Sequence, residues 1–232
     1  MAEALNAGHR VSRVYFAREA KGAAIVQLKQ LAKERKVRFD FVEVGQLGRM
    51  TGTREHQDVA ARMAPLEYTR LEQLHALTEG QATTTLVALD QIQHSGNLGL
   101  ILRTAAGAGV DAVLLPARGS RGISEEVIRA SAGAAFRLRI VLCNNLAQDL
   151  ERLKQDGFWI YGLDANGETE LFETQWPARR VLVAGNETKG LRPLVRKRTD
   201  ALVRIPMAGS LDSLNVAVAL GIVLFDTVRQ SR

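Results

Sequence analysis

The chain has 232 residues, 46% hydrophobic and 24% charged, a balance that excludes intrinsic disorder and allows one large core or a small domain beside a medium one. Lysine and arginine outnumber aspartate and glutamate by 31 to 25, so an anionic partner fits the charge, although charge alone selects none. Cys143 is the only cysteine, which excludes an internal disulfide and suits a reducing cytoplasm; the first residues lack a signal peptide's basic start and apolar core, and the longest apolar run, Val216 to Phe225, is far shorter than the roughly 20 residues of a membrane helix.

From Arg18 to Arg35, apolar Ala23, Ile25, Val26, Leu28 and Leu31 recur with helical spacing. Val37, Phe39, Phe41 and Val42 then mark a strand, Gly45 and Gly48 break the next stretch, and Asp58 to Met63 predicts a closing strand before Pro65. This reads as a small α/β unit over residues 1–77. Most of the basic excess sits here, thirteen basic against nine acidic residues over 1–76.

Thr78 to Thr83 is polar and carries a glycine, which predicts a linker over 78–83 and a second unit over 84–232. Its first strand is Thr84 to Leu89. Further strands around Ala112–Leu115, Leu138–Leu142, Trp159–Leu163, Val181–Ala184 and Leu202–Ile205 alternate with helical patterns. That order predicts an α/β fold, a parallel sheet with helices on both faces. No internal repeat is present.

Three stretches carry chemistry. In the first, Leu89-Asp-Gln-Ile-Gln-His-Ser-Gly-Asn97-Leu-Gly99-Leu-Ile-Leu-Arg103-Thr-Ala, a buried strand runs through a tight turn into a helix. Ligands of open α/β sheets sit at such carboxyl ends. Asn97 also reads as a helix cap and Gly99 as a packing residue. Arg103 lies on an otherwise apolar helix, where an unpaired guanidinium is costly unless it faces a phosphate or a carboxylate.

The second is Val181-Leu-Val-Ala184-Gly185-Asn186-Glu187-Thr-Lys-Gly190-Leu-Arg-Pro193, a strand feeding a glycine turn that holds a carboxylate. Gly185 and Gly190 let backbone amides approach a ligand, and Pro193 suits the first turn of a helix. The same residues also make an ordinary strand-to-helix connection. The third is Ile205-Pro206-Met207-Ala-Gly209-Ser-Leu-Asp-Ser213-Leu214-Asn215-Val-Ala-Val, opening the last helix. Ser213 and Asn215 stand at its start, where they can cap it or hydrogen-bond a substrate.

Taken in order, Asn-Leu-Gly-x-x-x-Arg-Thr-Ala, Gly-Asn-Glu-x-x-Gly-Leu and Ile-Pro-Met-x-Gly-x-x-x-Ser-Leu-Asn-Val resemble the SpoU/TrmH family of SPOUT-class RNA ribose 2′-O-methyltransferases over roughly residues 84 to 230. At the front, Gly52-Thr-Arg-Glu-His56-Gln57-Asp-Val-Ala resembles the substrate-binding domain of members that modify a guanosine of 23S rRNA. The resemblance implies S-adenosylmethionine as cofactor, RNA as substrate, a homodimer with the site shared across its interface, no metal and no membrane. It also implies a C-terminal trefoil knot, a feature otherwise almost absent from proteins.

Carried onto matching positions, it makes Asn97, Arg103, Glu187, Ser213 and Asn215 the catalytic residues. The cofactor falls to Ala184, Gly185, Asn186 and Gly190 of the second stretch and to Ile205, Pro206, Met207, Ser213 and Leu214 of the third. RNA falls to Arg10, Arg13, Lys36, Arg38, His56, Gln57 and Arg103. An arginine, with a pKa above about 12, is a poor base. Arg103 is therefore expected to grip the adjacent phosphate and stabilise the developing oxyanion while the proton leaves by phosphate or water.

The chain departs from the pattern in two places. His94-Ser95 stands where the family carries Asp-Pro; an imidazole there invites a general-base role, but a structural one is expected. The front unit also lacks the family's usual first strand. Two rivals stay in view: a tRNA-directed methyltransferase, and a non-catalytic RNA-binding or ribosome-assembly protein. A dinucleotide-binding enzyme is excluded, since no Gly-x-Gly-x-x-Gly follows the first strand.

Overall fold

The structure, a computed structural model, describes residues 1–120 and 122–231 and divides into two compact units, Met1–Leu66 and Glu67–Arg232. In the first, α1 (Ala2–Asn6), β1 (Val11–Ala17), α2 (Ala23–Glu34), β2 (Arg38–Val42), α3 (Val44–Thr51) and β3 (Val59–Met63) succeed one another. The sheet runs β2-β1-β3, with β1 parallel to β2 and antiparallel to β3. Val14 and Phe16 of β1 bury against Leu5, Ile25 and Leu28, and Ala17 packs with Leu47 and Ala60.

Two stretches were not foreseen from the sequence. β1, passed over between the opening residues and the long helix, is the centre of the sheet, its Val, Tyr and Phe suited to a pleated surface despite Arg13. Residues 44–51 are helical across Gly45 and Gly48, because Leu47 is fully buried on the sheet; Gly52, at φ 64°, ends the helix in a left-handed conformation.

The second unit holds α4 (Leu71–Thr78), β4 (Thr84–Leu89), α5 (Ser95–Gly107), β5 (Ala112–Pro116), α6 (Glu125–Ala130), β6 (Arg139–Cys143), α7 (Leu146–Gln155), β7 (Trp159–Leu163), β8 (Thr169–Glu170), β9 (Arg179–Ala184), α8 (Pro193–Arg196), β10 (Ala201–Arg204) and α9 (Val216–Gln230). Helix α4, placed by the sequence at the end of the front unit, buries Leu74 in this unit's core. All seven strands pair in parallel, in the order β6-β5-β4-β9-β7-β10-β8. Every residue of β4 and β5 is buried, the apolar run typical of inner parallel strands.

Strand β9 inserts between β4 and β7, and Leu89 pairs with Ala184, so the carboxyl ends of β4 and β9 finish flush. Their exit loops leave side by side. Gly99 fixes how α5 lies: a Cβ there would meet the Ala130 Cβ at 2.3 Å, so α5 and α6 touch backbone to backbone. Among the described residues no helix is long and apolar enough to cross a membrane.

Candidate functional site

The exit loops of β4 and β9 are bound to each other through one carboxylate. Glu187 Oε1 accepts from the His94 N–H at 3.2 Å and from Asn97 Nδ2 at 3.0 Å. Its Oε2 accepts from the Gln93 N–H at 3.4 Å and from Asn186 Nδ2 at 3.3 Å. Partial burial pushes the Glu187 pKa up, but the hydrogen bonds from Asn97 and the backbone outweigh it and hold the group below the usual carboxylate value. Glu187 is thus an anion saturated with donors, a clamp rather than a base.

Asn97 extends the chain of bonds. Its Oδ1 accepts from Asn215 Nδ2 at 3.0 Å, while Asn215 Oδ1 accepts from the N–H groups of Ala217 and Val218 and caps α9. Asn215 therefore caps the last helix, one of the two roles the sequence allowed, and its amide also reaches Asn97. Asn97 does not cap, because His94 is the N-cap of α5 and supplies no side-chain cap bond. Ser213 caps nothing either; it is exposed and lines a neighbouring cleft.

That cleft, of about 380 Å³, lies beside the chain of bonds and falls within the roughly 300–1,000 Å³ of small-molecule sites. Ala184, Gly185, Asn186, Glu187 and Gly190 form one wall, and Ile205, Met207, Ser213 and Leu214 another; Pro206 lies on an adjoining hollow with Arg204 and Glu170. Gly185 has no room for a side chain, since a Cβ would meet the Gly190 carbonyl carbon at 2.3 Å and the Leu191 nitrogen at 2.5 Å. Asn186 and Gly190 exchange two backbone bonds of 2.9 Å across the turn, and Asn186 Oδ1 accepts from the N–H groups of Thr188 and Lys189. Apolar side chains beside close-set backbone polar groups suit a flat heterocycle whose edge the backbone can hydrogen-bond.

The sequence reading overlooked a third wall, Leu163 to Asn166 after β7. Its signal is Asp-Ala-Asn-Gly at a strand's carboxyl end, a turn closed by the Asn166 N–H donating to Asp164 Oδ1 at 2.9 Å. Also overlooked was Asp90, fully buried, which accepts from the Arg192 N–H at 2.8 Å and from Arg192 Nε at 2.7 Å and so ties the far end of the β9 turn to β4.

Arg103 stands apart. It is exposed on α5, its side chain makes no hydrogen bond or ion pair among the described residues, and it lies about 9 Å along the helix from Asn97 at 1.5 Å per residue. Exposure to water removes the desolvation cost that the sequence alone assigns to an unpaired guanidinium here. His94 contributes only its backbone N–H to the cluster. In the front unit, Arg13 and Arg38 stand opposite each other on β1 and β2, and Arg13 pairs with Asp40 at 3.0 Å. Arg10 and Lys36 are exposed at that same end, whereas His56 and Gln57 precede β3 at the other end of β1, seven residues or about 23 Å away. They form two groups, not one patch.

The model of the SpoU rRNA Methylase family matches residues 84–225, and that of RNA 2′-O ribose methyltransferase substrate binding matches residues 2–69. The 23S rRNA (guanosine-2′-O-)-methyltransferase RlmB of Xylella fastidiosa (strain 9a5c) is 39% identical over 97% of this chain and 91% of its own length. Its namesake in Xanthomonas axonopodis pv. citri is 38% identical over the same shares. The AdoMet-bound rRNA methyltransferase of Sinorhizobium meliloti superposes with a TM-score of 0.80 at 28% identity, over 98% of this chain and 83% of that one.

Proposed function

We propose, since this chain belongs to the SpoU rRNA methylase family, that its cleft holds S-adenosylmethionine while the Glu187–Asn97–Asn215 chain fixes the cleft against the start of α9. The protein is an S-adenosylmethionine-dependent enzyme that methylates ribose 2′-hydroxyls of rRNA. The acceptor is a guanosine of 23S rRNA, as in the RlmB relatives. The observation that carries the reading is the meeting of three loops around one cleft, with the anion Glu187 fully hydrogen-bonded at its rim.

The cofactor fits what is there. Gly185, closed to any side chain, lets the turn backbone face the ligand, while Ile205, Met207 and Leu214 offer it an apolar surface. When bound, S-adenosylmethionine supplies a methyl group on a sulfonium. The backbone of Ala184 to Gly190 and of Ile205 to Leu214 binds and orients it, and Ser213 faces the cleft, where its hydroxyl can meet the acceptor ribose. The C-terminal segment forms a trefoil knot in this reading.

Arg103 belongs to a second copy's site. Leu100 of α5 and Val218 and Phe225 of α9 each leave about half their surface exposed, on two helices in contact where Gly221 meets Thr104. Such paired apolar faces fit a homodimer. Across that interface Arg103 grips a substrate phosphate and steadies the charge developing on the 2′-oxygen. The dimer acts in the cytoplasm, where rRNA is modified.

The test incubates the protein with methyl-labelled S-adenosylmethionine and protein-free 23S rRNA and maps the product by mass spectrometry. A single ribose-methylated guanosine is expected; a methyl on tRNA only, or none, overturns the reading. Arg103→Ala is expected to keep cofactor affinity and lose turnover at least roughly 100-fold, and wild-type turnover in that variant removes Arg103 from the chemistry.

A further inference from the structure

Asp90 comes directly after β4, and its side chain has no exposed surface. One oxygen accepts from the Arg192 backbone N–H and the other from Arg192 Nε, positions 102 residues apart in the chain. A carboxylate sealed from water is strongly unfavourable without its cation, so Arg192 cannot leave. The guanidinium is therefore held along one edge. Its other edge is open: Nη1 and Nη2 have no partner among the described residues, and the side chain is 42% exposed.

An ordinary surface arginine loses rotamer freedom when it binds an anion, and that loss weakens the contact. Arg192 has lost this freedom on folding. Its open edge presents two donors in a fixed direction, the geometry that matches a phosphate in bidentate fashion. Arg192 does not line the cofactor cleft, which argues against the cofactor's carboxylate as the anion. Lys189 is exposed on the same turn, and Arg118 is exposed on the loop after β5, where the neighbouring Gly119 carbonyl accepts from Gln93 Nε2 at 2.6 Å. Three basic side chains thus stand on loops at the carboxyl end of the sheet.

We propose that Arg192, locked by the buried Asp90, is a preorganised grip for one backbone phosphate of the RNA substrate. The inference rests on the reading that this chain methylates RNA. Its test uses two variants, protein-free 23S rRNA as probe across a salt series, and calorimetry with S-adenosylmethionine. In Arg192→Lys the ammonium replaces Nε against Asp90 and no second edge remains. In the double variant Asp90→Asn with Arg192→Gln, an amide pair replaces the ion pair, so one of the two keeps the fold if the other does not.

RNA affinity is expected to fall about tenfold. The slope of log affinity against log salt should shrink by about 0.7 to 0.9, one phosphate contact, while cofactor affinity stays. Unchanged RNA affinity and salt slope in either folded variant overturns the proposal. So does a loss of cofactor affinity with RNA binding intact, which would make the pair a mere support of the turn. Wild-type protein that binds no rRNA at all sinks the methyltransferase reading together with the grip, and that result is read before any variant is made.

Discussion

Two walls of the same cleft are built in opposite ways. The turn from Gly185 to Arg192 is tied at both ends, by Glu187 to the loop after β4 and by Arg192 to Asp90, and it carries its own backbone pair between Asn186 and Gly190. The segment from Ile205 to Leu214 has no hydrogen bond among the described residues until Asn215 begins the last helix. Its Leu211 is 69% exposed. On the proposed reading, one wall is shaped before the cofactor arrives and the other is expected to gain its contacts from the cofactor, so affinity should be set by the first and closure by the second.

The hardest blow to the preformed wall is Gly185→Ala. Its methyl falls 2.3 Å from the Gly190 carbonyl carbon, which is backbone and cannot turn aside. A loss of about 1–3 kcal/mol in stability is expected, together with loss of measurable cofactor binding. Calorimetry and a thermal melt report both, and near-wild-type binding would show that the turn yields as readily as its opposite wall.

A smaller effect is expected of Glu187→Gln, which keeps the shape and removes the charge. The cost is about 1–2 kcal/mol near neutrality, from weaker bonds to Asn97 and two backbone N–H groups at a half-buried position. Because the folded carboxylate sits below its usual value of 4.5, its contribution is fully present above that value and is lost as the pH falls through the folded pKa. The gap between the two proteins in denaturant midpoint should therefore close in acid. A gap independent of pH would mean that the carboxylate charge is not what clamps the loops.

Smallest of all is Leu211→Ala on the unanchored wall, within about 0.5 kcal/mol of wild type in stability. Hydrogen exchange then sharpens the contrast. Adding S-adenosylmethionine is expected to slow exchange across 206–214 and leave 186–190, already bonded, almost unchanged. Equal slowing of both would erase the distinction.

Much of the second unit was legible from sequence. Thr84–Leu89 and Trp159–Leu163 are strands at the expected residues because unbroken apolar runs between turn formers leave few alternatives. Strand order was not legible, since insertion of β9 between β4 and β7 depends on packing between distant segments. The two-residue β8 is too short to leave a pattern. Motif residues pointed to loops that the fold brings side by side, but their partners, the Gln93 N–H, the Gln91 carbonyl that accepts from Asn186 Nδ2 at 2.9 Å, and Asp90, act through backbone or burial and leave no mark in spacing. The cap reading of Asn97 failed for a related reason: which residue opens a helix depends on where the preceding turn lets the backbone go.

The bond between Asn97 and Asn215 joins groups 118 residues apart. Closing so long a loop is entropically slow and comes late in folding. On the ribosome, therefore, the front unit and most of the parallel strands can be complete while the cleft walled by the start of the last helix does not yet exist. Catalytic competence should arise in one step, when the last helix leaves the exit tunnel, and an unfinished chain should have none.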